Sequence, residues 1–172
     1  MALQRTFDNL LLELQKVSDS VQMLRLALGD KPPDESALAD SLEYQTLEIS
    51  GALGECRTAA QHSRRAVHPV LRFDSARREL TAAQSHFEQV SRQYAEMAAY
   101  DRLRELERMA GSRRREWRLW VASVLRAIEA CRPALEKAGS TLAQCWQELA
   151  EHASTAFAAV GEQRKVKRKK RS

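Results

Sequence analysis

The histidines and cysteines are the first candidates for chemistry, because these side chains bind metals and act as bases or nucleophiles. None of the four histidines has a glutamate three positions before it, the spacing that a di-iron helical bundle requires. The three cysteines show no Cys-x-x-Cys spacing and lie in apolar stripes, so we interpret them as reduced core residues of an intracellular protein. These seven residues are His62, His68, His86, His152, Cys56, Cys131 and Cys145.

The motifs of phosphate-binding and hydrolytic enzymes are also missing from the sequence. There is no glycine-rich phosphate loop and no Gly-x-Ser-x-Gly elbow. The apolar stripes contain almost no carboxylates, so a buried acid–base pair is not visible. The sequence therefore predicts a protein that is not an enzyme and has no catalytic residues, no cofactor and no metal site.

Basic side chains are concentrated at the C-terminus. The net charge is +5, yet residues 164–171 alone hold seven basic side chains and no acidic one. Residues 1–55 hold 4 basic and 10 acidic side chains, so the positive charge is local to parts of the chain. We expect residues 164–172 to form a basic tail that is disordered when the protein is alone. The basic residues of the tail are Arg164, Lys165, Lys167, Arg168, Lys169, Lys170 and Arg171.

A run of like charges of this kind has several interpretations. It can bind the phosphates of RNA or DNA without sequence specificity, in a manner that weakens steeply with salt. It can serve as a nuclear localisation signal in a eukaryote, bind anionic lipid, or only increase solubility. We favour nucleic acid as the partner.

Two further groups of arginines lie in the body of the protein. One group surrounds the turn between the second and third predicted helices, where the helix dipole already explains Arg64 and Arg65. The other is the run Arg113, Arg114 and Arg115, which opens a predicted helix at the end where the dipole disfavours positive charge. The run Arg113–Arg115 is therefore the better candidate for binding nucleic acid.

Trp117 and Trp120 stand three residues apart, on one face of the last predicted helix. Tryptophans at such spacing either fill a core or form the centre of a contact with a partner protein. The sequence leaves both interpretations open, and we keep these two residues as candidates for binding a larger protein.

The elements that carry these residues are predicted to be four helices in one domain, residues 1–163. The first runs to Gly29, with an apolar residue at every third or fourth position, and the second spans about 36–67. The third is predicted over about 74–110, although its apolar register slips near Asp101. In the second helix, we expect Gly51 and Gly54 to allow another helix to approach closely.

The last helix is predicted over about 113–162. Its apolar register passes unbroken through Pro133 and Gly139, which favours one long helix kinked near the proline over two shorter helices. The third and fourth helices are longer than their partners. Either their hairpin projects beyond a four-helix bundle, or its ends pair with a second copy in a homo-oligomer.

The fold class is thus all-α, a four-helix-bundle-like arrangement of coiled-coil hairpins. No stretch is apolar and long enough to cross a membrane, and the N-terminus does not resemble a signal peptide, which predicts a cytoplasmic or nuclear protein. We predict an accessory or adaptor protein that binds nucleic acid through its basic residues and a partner protein through its long hairpin. The alternatives are a protein–protein scaffold or oligomeric coiled coil with no nucleic-acid role, and a bundle that acts on membranes.

Overall fold

A computed structural model describes the backbone of residues 2–34 and 36–171, and the side chains of these ranges up to Thr155. The described residues form helices and no strands, which confirms the all-α class. The helices are α1 (Ala2–Gly29), α2 (Ala37–Val67), α3 (Phe73–Met97), α4 (Tyr100–Ser112) and α5 (Arg115–Arg171).

Helices α1 and α2 lie where the apolar spacing predicts them. The stripe of α1, from Leu3 to Leu28, is buried along its whole length, because residues spaced by three and four share one face. Helix α2 begins after Ser36, whose hydroxyl accepts a hydrogen bond from the Ala39 N–H at 3.2 Å and so caps the helix. It ends at Val67, before the extended His68 that precedes Pro69.

The prediction of a single helix over 74–110 is wrong, because two helices cover this range. The backbone leaves the helix after Met97, and Ala99 is extended, with φ −63° and ψ 144°, before α4 begins. The Ala98 N–H still bonds the Tyr94 carbonyl, at 2.8 Å, and closes the last turn of α3. The break lies two residues before Asp101, where the apolar register slips, and it lets α4 turn Leu106 into the core.

Helix α5 is continuous through Pro133, as the unbroken register predicts, and it begins at Arg115 rather than at 113. The Tyr94 hydroxyl of α3 donates a 2.6 Å hydrogen bond to the Ile128 carbonyl, in the turn before Pro133. At Gly139, α3 comes close, since a Cβ there would lie 3.3 Å from Cε1 of Phe87. The kink at Pro133 stays a prediction.

The helices run alternately up and down. Helix α1 is antiparallel to α2, which is antiparallel to α3, and α4 continues in the direction of α3. Helix α5 returns against both α1 and α3, so that α3 and α4 together hold the third position of a four-helix-bundle-like core. None of the helices in the described ranges is apolar over enough of its length to span a membrane.

Contrary to the expectation from the sequence, Gly51 and Gly54 do not lie where another helix of the bundle approaches closely. Both are exposed, and an added Cβ would meet nothing within 4 Å at either position. The close approach of a second helix therefore occurs at Gly139 on α5 and not at these two glycines of α2.

Candidate nucleic-acid interface

One end of the bundle collects three parts of the chain that are distant in sequence. The Thr6 hydroxyl of α1 donates a 2.5 Å hydrogen bond to Glu148 of α5, and the Arg64 Nε lies 2.8 Å from the Asp8 carboxylate. The start of α1, the turn between α2 and α3, and the C-terminal part of α5 therefore lie together. We call this end of the bundle the basic end.

Among the described residues, the positive charge of the basic end comes from the turn between α2 and α3. Four arginines here are exposed, and we call them the turn arginines: Arg65, Arg72, Arg77 and Arg78. Arg64 is neutralised by Asp8, and the Arg57 guanidinium donates to the uncharged side chain of Gln15. The acidic residues within the turn sequence are Asp74, in the first turn of α3, and Glu79, whose carboxylate lies 3.7 Å from His62.

None of the turn arginines forms an ion pair with a side chain in the described part of the protein. Arg65 is in the last turn of α2, where the negative end of the helix dipole favours it, and Arg72 immediately precedes α3. The Arg72 Nη2 donates to the Arg65 carbonyl at 3.5 Å, which draws the two guanidinium-bearing segments together across the turn. Their side chains are therefore available to a polyanion.

The run Arg113–Arg115 lies at the opposite end of the bundle. Arg113 immediately follows α4 and stacks on the ring of Trp117, with its guanidinium carbon 4.6 Å from the ring centroid. The Arg114 carbonyl accepts the Trp117 N–H at 3.0 Å, and Arg115 is the first residue of α5. Fifty residues of continuous helix, about 75 Å, separate Arg114 from Arg164, so the run and the basic tail do not form one surface.

The backbone of α5 is helical as far as Arg171, so the helix does not end at the boundary predicted between residues 163 and 164. The side chains of the predicted nucleic-acid-binding residues of the tail, Arg164 to Arg171, lie outside the described residues. Their disorder when the protein is alone stays a prediction.

Trp117 and Trp120 both belong to the core. They are 1% and 4% exposed and meet edge to face, with ring centroids 5.4 Å apart. The Trp117 Nε1 donates to Asp34 and the Trp120 Nε1 donates to the Leu28 carbonyl, each at 3.3 Å. Burial and satisfied N–H groups account for both rings, so the structure favours the core interpretation over a contact with a partner protein.

The three cysteines are buried, and burial raises the pKa of each thiol. The values are about 12 for Cys56, about 11 for Cys131 and about 12 for Cys145. A thiol that holds its proton at neutral pH is a poor nucleophile and metal ligand. Within the described residues, no three of the His, Cys, Asp and Glu side chains are grouped so that they could hold a metal ion.

Sequence reasoning noticed the turn arginines but ranked them below Arg113–Arg115, because the helix dipole already explained part of the group. The fold adds a topological argument for the turn arginines. In an up-and-down bundle, the second turn lies at the end where the fourth helix finishes, whereas the run Arg113–Arg115 lies where that helix starts.

Comparison with known proteins returns no match. No protein-family model matches the chain, and no curated protein or solved structure is significantly similar to it.

Proposed function

We propose that this protein is a non-enzymatic helical accessory protein that binds nucleic acid without sequence specificity through its basic end. One observation carries the proposal: the antiparallel packing of α1, α2 and α5 puts the turn arginines at the end toward which the C-terminal basic residues run. The four exposed turn arginines and the seven basic residues of the tail then belong to the same end of the bundle, and in this proposal both groups contact the phosphates.

Binding by such a region rests on the release of counterions from the phosphates. Arginines in a turn and at helix ends contact phosphate oxygens, which fixes a protein on the polymer but carries no information about base sequence. The basic tail adds charge over about 12 Å, the length of eight helical residues. RNA and duplex DNA both fit this chemistry, and the proposal covers both.

The first experiment removes the turn arginines. Arg65, Arg72, Arg77 and Arg78 are changed together to glutamine in the full chain, and binding to a generic RNA and a generic DNA duplex is titrated at 50 and 200 mM salt. We expect at least about tenfold weaker binding at the lower salt. Each lost phosphate contact should also reduce the slope of log K against log salt on the duplex by about 0.9.

The matched control removes four exposed arginines from the opposite end: Arg108, Arg114, Arg115 and Arg118, again changed to glutamine. The net charge of the two variants is the same, so a difference between them reports position and not total charge. Equal loss of binding in both variants would contradict the proposal. Circular dichroism and thermal unfolding check that both variants remain folded.

The second experiment shortens the chain to residues 1–163. Removal of seven basic residues should eliminate most of the binding and most of its dependence on salt. Equal and negligible binding by the full and the shortened chain would instead favour the protein–protein scaffold. Binding to anionic vesicles but to neither nucleic acid would favour a protein that acts on membranes.

A further inference from the structure

The charge of α2 changes sign along the helix. Residues 37–56 carry four acidic side chains and no lysine or arginine, whereas residues 57–67 carry three arginines and no acidic side chain. The basic part leads directly into the turn between α2 and α3. A polyanion at the basic end is therefore attracted to the last part of α2 and repelled from the rest. The residues concerned are Asp40, Glu43, Glu48 and Glu55, followed by Arg57, Arg64 and Arg65.

Two of these arginines contact α1. The Arg57 Nη2 donates to the side-chain oxygen of Gln15, and the Arg64 Nε lies 2.8 Å from the Asp8 carboxylate. Arg57 and Arg64 are seven residues apart on α2, and so are their partners on α1. Because seven residues are almost two helical turns, the two arginines form a row of about 10 Å along the contact between the helices. We call Arg57 and Arg64 the seam arginines.

The row continues the basic end. Arg64 is followed by Arg65, which is one of the turn arginines, and the Arg65 carbonyl accepts a hydrogen bond from Arg72. Glu55, two residues before Arg57, begins the acidic part of α2. The seam arginines thus lie between the turn arginines and the part of α2 that repels a polyanion.

The two seam arginines differ in the charge that they retain. Gln15 is uncharged, so Arg57 keeps its full positive charge. Asp8 neutralises Arg64, but the side chains of Arg64 and Asp8 are 30% and 50% exposed, so this pair is accessible from solvent. A guanidinium has five N–H donors, and the 2.8 Å contact with Asp8 engages Nε, which leaves donors for a phosphate.

Asp8 opposes a phosphate at this position in two ways. Its carboxylate occupies the Arg64 Nε, and its negative charge repels a phosphate oxygen nearby. Ion pairs exposed to solvent contribute little to stability and are screened by salt, so a phosphate can displace Asp8. The contact therefore lowers the affinity of the basic end for a polyanion and adds little to the stability of the bundle.

We propose that nucleic acid bound at the basic end extends along the contact between α1 and α2, where Arg57 and Arg64 bind phosphates, and that Asp8 is an autoinhibitory residue that restrains Arg64. This inference rests on the proposed function and adds to it a second row of phosphate contacts and a residue that limits affinity. RNA and duplex DNA present the same phosphates to this row.

The test removes one carboxylate from each of two exposed ion pairs. Asp8→Asn releases Arg64, and the control Glu129→Gln releases Arg132, whose Nη2 lies 3.1 Å from Glu129 in the middle of α5. Both changes preserve the shape of the side chain and remove one negative charge, so they differ in position alone. We expect Asp8→Asn to bind the generic duplex at least about threefold more tightly at about 50 mM salt, and Glu129→Gln to change the affinity by less than about twofold.

The dependence on salt supplies a second measurement. One additional phosphate contact should steepen the slope of log K against log salt on the duplex by up to about 0.9 in Asp8→Asn. Arg57→Gln should weaken binding by at least about twofold, because a full charge is lost from the row, whereas the exposed Arg126→Gln on α5 should have less effect. Circular dichroism and thermal unfolding check that every variant is folded.

A double-mutant cycle ties the gain to Arg64. When Arg64→Gln is already present, Asp8→Asn has no guanidinium to release, so most of its gain in affinity should disappear. An equal gain with and without Arg64 would overturn the autoinhibitory role. Equal effects of Asp8→Asn and Glu129→Gln, or of Arg57→Gln and Arg126→Gln, would overturn the proposed row of contacts.

These failures differ from a failure of the proposed function. A native chain that binds neither nucleic acid, or a turn-arginine variant that loses no more binding than its control, contradicts the proposed function and this inference with it. A native chain whose binding depends on the turn arginines but is insensitive to Asp8, Arg57 and Arg64 contradicts this inference alone.

Discussion

At the scale of single residues, three glycines inside helices have different physical roles. Gly139 lets α3 and α5 approach, because any side chain there would press on Phe87. Gly51 and Gly54 face open space, so nothing inside the bundle requires them to be glycine. The sequence shows all three as interruptions of a helical pattern and cannot distinguish them, because the distinction depends on which helix lies opposite.

Substitution by alanine separates these roles. Gly54→Ala should raise the free energy of unfolding by about 1 kcal/mol, measured by urea denaturation in high salt, because alanine lowers the entropy of the unfolded chain and adds no clash. Gly139→Ala should gain less or lose stability, since its Cβ would lie 3.3 Å from Phe87 Cε1. Equal stabilisation by both changes would show that α3 and α5 are not in close contact at this position.

The two tryptophans show where residue-level prediction stops. Spacing places Trp117 and Trp120 on one face of a helix, but only the fold supplies Asp34 and the Leu28 carbonyl as acceptors for their N–H groups. A sequence cannot show whether a ring meets its own core or a partner, since both environments select the same residue type.

At the scale of elements, α4 is the helix least anchored to the core. Leu106 is its one fully buried residue, while Leu103, Met109 and Ala110 are half-buried. No side-chain hydrogen bond caps its start at Ala99. Its contacts with α2 include two hydrogen bonds at 3.2 and 3.4 Å, from Arg102 to Ser41 and from Ser36 to the sulfur of Met109.

Amide hydrogen exchange should therefore be faster in α4 than in α3 or in the middle of α5. Few buried apolar contacts mean that α4 can open locally without unfolding the bundle. Exchange followed by mass spectrometry on peptides covering 100–112 and 80–97 makes the comparison within one sample. Protection of α4 equal to that of α3 would mean that the two helices open only together.

Three of the predicted helices correspond to α1, α2 and α5. A long apolar stripe that is followed by residues unable to continue a helix is almost sufficient to specify it from the local sequence. The break between α3 and α4 is different. Ala98 and Ala99 are good helix formers, so the local sequence gives no reason for the chain to leave the helix there. The register slip near Asp101 marks the place, but the choice between a local change of supercoil and a break is made by packing against α2 and α5.

At the scale of the whole molecule, the three buried thiols couple stability to alkaline pH. Their folded pKa values of about 11 to 12 lie above the ordinary value of 9.0. Above about pH 9 the unfolded chain loses protons that the folded chain retains, so rising pH favours unfolding until the folded values are reached. The stabilising effect is complete below pH 9 and is lost progressively between about pH 9 and 12.

The expected slope is up to about 1.4 kcal/mol per pH unit for each thiol within this window. Urea unfolding at pH 8, 9.5 and 10.5 in the presence of a reductant measures it. Cys56→Ala removes one of the three thiols and should reduce the slope by about a third, whatever it does to stability at pH 8. An unchanged slope would show that Cys56 ionises equally in both states. Burial also raises the pKa of Tyr94 to about 12, so Tyr94 adds to the slope above pH 10 in the native protein and in the Cys56→Ala variant alike.

The candidate interface could be predicted from the sequence only in part. The concentration of basic residues at the C-terminus is visible by inspection, and so are the arginines of the turns. Which turn lies at the end of the bundle toward which the tail runs is a property of the assembled bundle, because Arg78 and Arg164 are 86 residues apart in sequence.

The packing of α1 against α5 has a consequence for the order in which the chain folds. The hydrogen bond between Thr6 and Glu148 joins residues 142 positions apart, whereas α2 and α3 meet across separations of 13 to 51 residues. Contacts between residues close in sequence form fastest, so the α2–α3 hairpin should precede the closure of the bundle by α5. During synthesis, the roughly 120 residues made between the end of α1 and Leu149 take about 6–24 s. For that interval the nascent α1 carries a full apolar stripe without its main partner, and it is the segment that a chaperone at the ribosome would bind.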